Sequence, residues 1–169
     1  MHVGIDPGKT GAIAVQYDDG SIEVFDVPTF ERPAGKSTKN RKTFHEVDAT
    51  ELCSIFARIS ERARDGAFVV MERMSARPTD TPHNAMDLGI TAGLIEGVAA
   101  GYDLSVTHKP LPLQWKRKLG LLGKDKEASR QLAIDLFPTA ARYLRRKKDH
   151  NRAEALLLIE WTKRTEDQQ

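Results

Sequence analysis

Acidic residues end two apolar segments that are predicted to be β-strands. The segment HVGID ends in Asp6, and AFVVME ends in Glu72. A carboxylate at the edge of a buried sheet must be solvated, paired with a cation or bound to a metal. Two more acidic residues, Asp149 and Glu154, lie in KKDHNRAEALLLIEW at the start of the last predicted helix. A fold that joins these segments has an oxygen-rich site for Mg²⁺, and two such ions are the usual device for cutting phosphodiesters.

Length and composition indicate one globular domain. A chain of 169 residues, 40% hydrophobic and 30% charged, is long enough to bury a core. The single cysteine, Cys53, excludes an internal disulfide and a cysteine-based zinc site. No apolar run approaches the roughly 18–20 residues of a membrane span, and MHVGID lacks the features of a signal peptide, so we expect a cytoplasmic location. We predict one domain over residues 1–169, with a flexible tail from about residue 164.

Basic residues are concentrated in one part of the chain. Residues 107–152 contain 13 Lys or Arg and 4 Asp or Glu, although the net charge of the whole chain is only +2. A basic region beside a set of carboxylates indicates a polyanionic substrate, whereas solvated helices explain the bias equally well. The candidate phosphate-binding residues are Lys116, Lys118, Lys124, Lys126, Lys36, Lys39, Arg41 and Lys42.

Hydrophobic patterning predicts an alternation of strands and helices. In chain order, we predict strands at 2–6, 11–17 and 21–27, a loop at 28–46, a helix at 48–65, a strand at 67–72, a loop at 73–82 and a helix at 83–101. A strand at 103–108, a helical turn and helices at 125–136 and 150–163 follow. This order predicts an α/β fold with a mixed five-stranded sheet and helices on both faces. Gly89, Gly93 and Gly97 form a smooth stripe that suits packing on the sheet or on a second subunit.

The segment GIDPGKTG resembles the end of a nucleotide-binding P-loop. A P-loop needs a glycine five residues before Gly8, but that position is Val3, and the sequence after Thr10 is typical of a strand. Actin-like and sugar-kinase folds share the strand–Asp–hairpin order but need two such domains. The carboxylate site is therefore the preferred interpretation.

Some candidate residues also have a purely structural interpretation. Glu72 would pair with Arg73 or Arg77 if it were only part of the surface. Trp115 has the stacking surface that binds a nucleic-acid base, but burial in the core is the commoner role of a tryptophan.

The start of the last helix leaves one ligand position open. At about 100° per residue, Asp149 and Glu154 are about 140° apart on a helix, so Asp149 reaches the same site only from the preceding turn. Asn151 and Glu154 also fit a capping box. Glu154 is the firmer candidate ligand, and Asp149, His150 and Asn151 compete for the adjacent position.

The motifs together resemble the RuvC-like Holliday junction resolvases of the RNase H-like superfamily. The resemblance rests on the strand–Asp–PG turn, the hairpin, VVME, the WK…GKDK basic segment and KKDHNRAEALLL, and it covers Met1 to about Trp161. It is greatest to the shorter phage and prophage members, which implies a location in the cytoplasm, either as a protein of a bacterial cell or as a phage-encoded protein in its host.

This resemblance implies a homodimer that binds a four-way DNA junction and makes paired symmetric nicks. The implied cofactors are two Mg²⁺ or Mn²⁺ ions per site, without a small-molecule cofactor or a membrane partner. Two alternatives stay open. One is a nuclease of the same fold that acts on RNA–DNA hybrids or forks, and the other is a junction-binding module with impaired catalysis, to which Asn151 points.

Residue roles also follow from the resemblance. The implied catalytic residues are Asp6, Glu72, Asp149, Glu154 and Lys126, of which the four acids would hold the metal. The family's third acid falls at Asn151, so Asp149 or His150 would have to replace it. Lys116 and Lys126 match basic residues near the scissile phosphate. The loop after Glu72 lacks the aromatic wedge of the family.

Overall fold

The computed structural model describes residues 1–33, 43–63, 65–76 and 78–166. Its strands are β1 (His2–Asp6), β2 (Ala12–Gln16), β3 (Ile22–Asp26), β4 (Thr29–Pro33), β5 (Thr43–Val47), β6 (Phe68–Met71) and β7 (Val106–His108). Its helices are α1 (Ala49–Ser60), α2 (Pro82–Gly101), α3 (Pro112–Lys118), α4 (Lys126–Leu136) and α5 (His150–Glu166), with 3₁₀ turns at Pro138–Tyr143 and Lys147–Asp149. None of the helices in these ranges is long and apolar enough to cross a membrane.

Five strands form a mixed sheet in the order β3-β2-β1-β6-β7. β1 is antiparallel to β2 and parallel to β6, and β6 is parallel to β7. Pairing of the two central strands continues past β6, because the N–H of Glu72 donates to the carbonyl of Ile5 at 2.9 Å. The carboxyl ends of β1 and β6 therefore lie side by side, with Asp6 and Glu72 at the same edge of the sheet.

Helices cover both faces of the sheet, because side chains alternate between its faces along each strand. On one face Val3 and Val69 pack with α1 and α2. On the other face Ala14 and Val70 pack with α3, α4 and α5. The predicted α/β fold, a mixed five-stranded sheet with helices on both faces, is confirmed.

α5 packs very closely on the centre of the sheet. Its residues 155–159 are fully buried. Gly4 in β1 permits this contact, because a Cβ at that position would lie only 2.0 Å from the carbonyl oxygen of Ala155. Glu154 immediately precedes Ala155, so the absence of a side chain at Gly4 lets the helix bring this carboxylate towards the sheet edge.

One segment predicted as a loop contains an antiparallel hairpin. β4 and β5 pair with each other and not with the main sheet. Phe30 and Phe44 are exposed, and Arg32 pairs with Glu46 across the hairpin at 3.2 Å, so the segment lacks the buried apolar pattern of the other strands. The predicted phosphate-binding residues between the two strands lie outside the described residues: Lys36, Lys39, Arg41 and Lys42.

Element boundaries differ from the prediction mainly at helix ends. α1 begins after Asp48, whose carboxylate accepts from the N–H groups of Thr50 and Glu51 at 3.0 Å, and it ends well before residue 65. The short helix α3 precedes α4, where only a helical turn was expected. α5 continues to Glu166, so residues 164–166 of the expected tail are helical.

The glycine stripe of α2 faces away from its own sheet. A Cβ at Gly89, Gly93 or Gly97 would meet no other atom within 4 Å. Met86 and Ile90 beside them are 59% and 61% exposed, whereas the opposite side of the helix is buried. Packing of the stripe on its own sheet, one of the two predicted roles, is therefore wrong. We call these five residues the outer face of α2.

Candidate functional site

Three acidic side chains, Asp6, Glu72 and Glu154, influence one another at the carboxyl edge of the sheet, and we call them the carboxylate site. Burial, followed by repulsion from Glu72 and Glu154, raises the pKa of Asp6 to about 8. An unperturbed aspartate has a pKa near 4. The positive charges of Lys116 and Lys126 act in the opposite direction. The site thus concentrates the negative charge of three carboxylates, which the two lysines compensate only in part.

A tight turn presents Asp6. The N–H of Gly8 donates to the carbonyl of Asp6 at 3.0 Å, and the N–H of Gly11 donates to the carbonyl of Gly8 at 2.8 Å. A Cβ on Gly11 would lie 2.0 Å from the carbonyl oxygen of Asp6, so the turn requires glycine there. β2 follows this turn, which agrees with the rejection of a P-loop, because a P-loop opens a helix.

Trp115 contacts Glu72 directly. The indole Nε1 of Trp115 donates to Oε2 of Glu72 at 2.7 Å. Trp115 is also fully buried among the residues that pack between the sheet and helices α3, α4 and α5, which we call the second core. Its burial is therefore confirmed, and the base-stacking interpretation is wrong. The tryptophan therefore touches the candidate site from the protein interior.

Both predicted active-site lysines lie at the carboxylate site. Lys116 Nζ donates to Oε1 of Glu154 at 2.9 Å, and the Glu154 side chain is only 13% exposed. Lys126 is the first residue of α4, and its Nζ lies 2.8 Å from Nε2 of His150. Two ammonium groups thus lie next to a cluster of three carboxylates.

Asp149, predicted as a metal ligand, has both carboxylate oxygens bound to Arg146. Its Oδ2 accepts from the backbone N–H of Arg146 at 2.8 Å, and its Oδ1 accepts from the guanidinium at 2.7 and 2.9 Å. Burial alone would raise the pKa of Asp149, but the hydrogen bonds from Arg146 outweigh it and lower that pKa. The structure does not bring this residue into the carboxylate site, because Asp149 closes the turn before α5.

The other two candidates for the open ligand position also have partners. Asn151 Nδ2 donates to the carbonyl of Thr10 at 2.5 Å and to its Oγ1 at 3.2 Å, which ties the start of α5 to the turn after β1. His150 contacts Lys126, whose charge acts on Asp6. Of the three competing residues, His150 is therefore the one that the structure associates most closely with the carboxylate site.

The remaining predicted phosphate-binding residues are spread out. Lys118 Nζ donates to Oγ1 of Thr165 at 3.0 Å, which lies near the far end of α5, about 16 Å along the helix from Glu154. Lys124 is exposed in the loop before α4. The structure therefore brings Lys116 and Lys126 to the site, but not Lys118.

A polar cleft of about 610 Å³ adjoins the site through Lys126 and His150. Its other basic lining residues are Lys9, Arg146, Lys148 and Arg152. Three of these cations are paired with carboxylates: Lys9 with Asp87, Arg146 with Asp149 and Arg152 with Asp26. The cleft therefore combines fixed positive charge with an open, solvent-accessible volume.

The chemistry of the donors suits a hard cation, although the side chains do not form a closed cage. Across the described ranges, no three His, Cys, Asp or Glu side chains are close enough to hold a metal ion as they stand. Glu154 is turned to Lys116, and Glu72 to Trp115. Carboxylates are nevertheless the preferred ligands of Mg²⁺, and a cation beside Asp6 would oppose the repulsion that raises its pKa.

The sheet order and the carboxylates at the ends of β1 and β6 define an RNase H-like fold. Over 98% of this chain, the structure superposes on 96% of Thermus thermophilus RuvC with a TM-score of 0.54 and 16% identity. RuvC of T. thermophilus in complex with a Holliday junction substrate also gives a TM-score of 0.54 and 16% identity, over 97% of this chain and 95% of that one. At this identity the likeness shows the fold alone.

Sequence comparison gives a narrower match. A segment of 66 residues is 46% identical to the chloroplastic Holliday junction resolvase MOC1 of Chlamydomonas reinhardtii. The segment is 38% of this chain and only 7% of that protein. No protein-family model matches the chain. The resemblance to RuvC-like resolvases is confirmed by the two comparisons together, and the likeness to phage and prophage members stays a prediction.

Sequence reasoning missed residues that shape the site without being acidic. Gly4 and Gly11 allow close backbone approach, and Trp115 donates to Glu72. A signal existed for Gly4, because a glycine inside a predicted strand often marks a place where another backbone comes near. Nothing in the sequence paired Trp115 with Glu72, because the two are 43 positions apart.

Proposed function

We propose that the protein is a metal-dependent endodeoxyribonuclease that resolves four-way junctions, or similar branched DNA, by paired symmetric nicks. The convergence of Asp6, Glu72 and Glu154 at one sheet edge carries this proposal, because it occurs in a chain with the fold of RuvC. The 66-residue identity to a protein named as a Holliday junction resolvase supports it independently.

The carboxylate site would hold Mg²⁺ or Mn²⁺, two ions per subunit, with His150 as an additional candidate ligand. When bound, such ions lower the pKa of water and stabilise charge on a phosphate. Asp6, at the centre of the repulsion, has the strongest reason to bind a cation. Glu72 and Glu154 approach it from β6 and α5, so the ligands come from three separate elements of one rigid core.

Lys116 and Lys126 would neutralise the negative charge that develops on the scissile phosphate. Both already act on Asp6, so they lie within electrostatic reach of the proposed reaction centre. The adjoining cleft would bind flanking phosphates of the same strand, with Lys148 and Arg152 among its cations. Lys124, exposed in the loop before α4, would extend this contact along the DNA.

The active form would be a homodimer, because a junction with two-fold symmetry is matched by two sites related by a two-fold axis. The outer face of α2 is the proposed interface, since it is apolar, uncovered in the single chain and smooth enough for helices to approach closely. Ile90→Glu should halve the mass measured by light scattering. Phe68→Glu, which alters an exposed apolar residue outside α2, should leave that mass unchanged.

The decisive experiment is incubation of the purified protein with a labelled four-way junction, in Mg²⁺ or in EDTA. We expect symmetric nicks that require the metal and disappear in Glu72→Gln. The matched control is Glu61→Gln, which makes the same change at an exposed position at the end of α1. Cutting by Glu72→Gln at the level of Glu61→Gln would contradict the assignment of Glu72.

The same experiment distinguishes the two alternatives. A protein that ignores junctions but cuts RNA–DNA hybrids or forks offered in their place is the nuclease of the same fold. Tight junction binding without cutting in Mg²⁺ or Mn²⁺ identifies a binding module, to which Asn151 points, because its amide is engaged with Thr10. Absence of any preference for branched DNA would overturn the proposal.

A further inference from the structure

The short helix α3 is anchored beside the carboxylate site at its first turn. The N–H of Arg73, which follows Glu72, donates to the carbonyl of Pro110 at 2.9 Å. The side chain of Gln114 then accepts from the N–H of Leu111 at 2.8 Å, which fixes the start of the helix. The end of β6 and the start of α3 are therefore held in one fixed relation.

Two neighbouring residues of α3 contact two different members of the carboxylate site. Trp115 donates to Glu72, and Lys116 donates to Glu154. The lysine is partly exposed and flexible, whereas the tryptophan has no exposed surface. Only the tryptophan is locked in place by the packing around it.

The Trp115 indole N–H has an unusual acceptor for a core residue. A buried indole N–H needs a hydrogen-bond partner, and this one is a carboxylate at the sheet edge. At 2.7 Å, the contact is at the short end of the usual range for N–H···O hydrogen bonds. Packing in the second core fixes the position of the Trp115 indole. Its 2.7 Å hydrogen bond therefore restricts the orientation of the Glu72 side chain, which has several rotatable bonds.

We propose that Trp115 is a positioning residue, which holds the Glu72 carboxylate in the orientation required to bind a divalent cation. The proposal rests on the function proposed above for the cation itself. A positioning role differs from a purely structural one because substitution of Trp115 should change the metal concentration that cleavage requires, and not only the stability of the fold. Loss of an outer hydrogen bond to a metal-binding carboxylate typically costs about 10–100-fold in metal affinity or activity.

The first test leaves Trp115 intact. The chain has two tryptophans, so Trp161→Phe makes Trp115 the single source of indole emission. Titration of this metal-free variant with Mg²⁺, and separately with Mn²⁺, should change the emission to a saturating value. The change should be absent when Glu72→Gln is added. Saturating cleavage without any change in emission would overturn the proposal.

The second test removes the donor but keeps an aromatic ring. Trp115→Phe should raise the Mg²⁺ concentration for half-maximal cleavage by about 10–100-fold, while metal-free binding to the junction is unchanged. Trp161→Phe is the matched control, because it deletes an indole elsewhere, where Trp161 packs edge-on to His108. Thermal unfolding of both variants separates loss of folding from loss of metal affinity.

The outcomes distinguish this proposal from the function on which it rests. If the unmodified protein cuts junctions and Trp115→Phe, still folded, needs no more metal than the control, Trp115 has no positioning role. If the unmodified protein does not cut branched DNA, the proposed function fails. The emission titration then still decides whether Trp115 and Glu72 form part of a cation site.

Discussion

Two buried aspartates near the same end of the molecule have opposite surroundings. Asp6 is placed beside two other carboxylates, and burial together with their repulsion raises its pKa to about 8. Asp149 accepts three hydrogen bonds from Arg146, which lower its pKa despite burial. The fold therefore satisfies one buried carboxylate and leaves the other in an unfavourable environment.

The difference separates a carboxylate that stabilises the fold from one that its neighbours repel. Asp149 closes the turn that leads into α5, so its charge stabilises the fold. When Asp6 is ionised, it destabilises the metal-free fold. This property is expected of a carboxylate that a bound cation would stabilise. Proximity of an acidic residue to the last helix therefore does not by itself decide its surroundings, and Asp149 as a metal ligand stays a prediction.

The largest expected effect comes from removing the charge of Asp6. Asp6→Asn should lower metal-dependent junction cleavage by about 10²–10⁴-fold, because several kcal/mol of charge stabilisation depend on the bound cation. The same variant should raise the melting temperature of the metal-free protein at pH 8, where Asp6 is partly ionised. Retained cleavage would show that Asp6 is not a ligand.

A side chain at Gly4 should separate the members of the carboxylate site. In Gly4→Ala, the new Cβ would meet the carbonyl oxygen of Ala155, so α5 and Glu154 must shift outwards. We expect loss of cleavage and a decrease of about 1–3 kcal/mol in the free energy of unfolding, measured in urea. Gly101→Ala, where no atom lies within 4 Å of the added Cβ, should change neither quantity appreciably.

Asp149→Asn tests the other half of the comparison. It should lower the free energy of unfolding by about 1–3 kcal/mol, because the buried hydrogen bonds from Arg146 are weakened. Under conditions in which the variant stays folded, its cleavage rate should remain within about threefold of that of the unmodified protein. A threefold change in rate corresponds to less than about 1 kcal/mol in activation free energy.

The control for that change is Asp135→Asn, at an exposed position of α4. A large loss of cleavage in Asp149→Asn with unchanged stability would restore Asp149 as a metal ligand.

The last expected effect concerns stability and not cleavage: it is a change in how the free energy of unfolding depends on pH. Asp6 has a raised pKa, so its contribution to the metal-free fold is present below about pH 4 and is lost as the pH rises to about 8. Asp149 has a lowered pKa, so its contribution is present above the ordinary aspartate pKa and is lost in acid.

The free energy of unfolding, measured in urea from pH 5 to pH 8.5, should fall by at most about 1.4 kcal/mol per pH unit in the unmodified protein relative to Asp6→Asn. Parallel curves for the two proteins would contradict the raised pKa.

Regular patterns in the sequence were enough to predict most of the sheet. β1, β2 and β6 are mostly apolar, β3 alternates apolar and acidic residues, and each strand lies within two residues of its predicted bounds. The β4–β5 hairpin was missed, because strands with one exposed and charged face lack that pattern. Packing on the sheet was assigned to the α2 glycines as one of two roles, and only the structure showed that they face outwards.

The sequence by itself determined which carboxylates can meet, because parallel strands that end in Asp6 and Glu72 bring their carboxyl ends to one edge. Only the tertiary structure decided which neighbours those carboxylates have. Arg146 removes Asp149 from the site, and Trp115 joins Glu72 from a distant helix. The reason is physical: strand and helix periodicity is local, whereas the pKa and orientation of a buried group depend on side chains that the folded chain brings together from any distance.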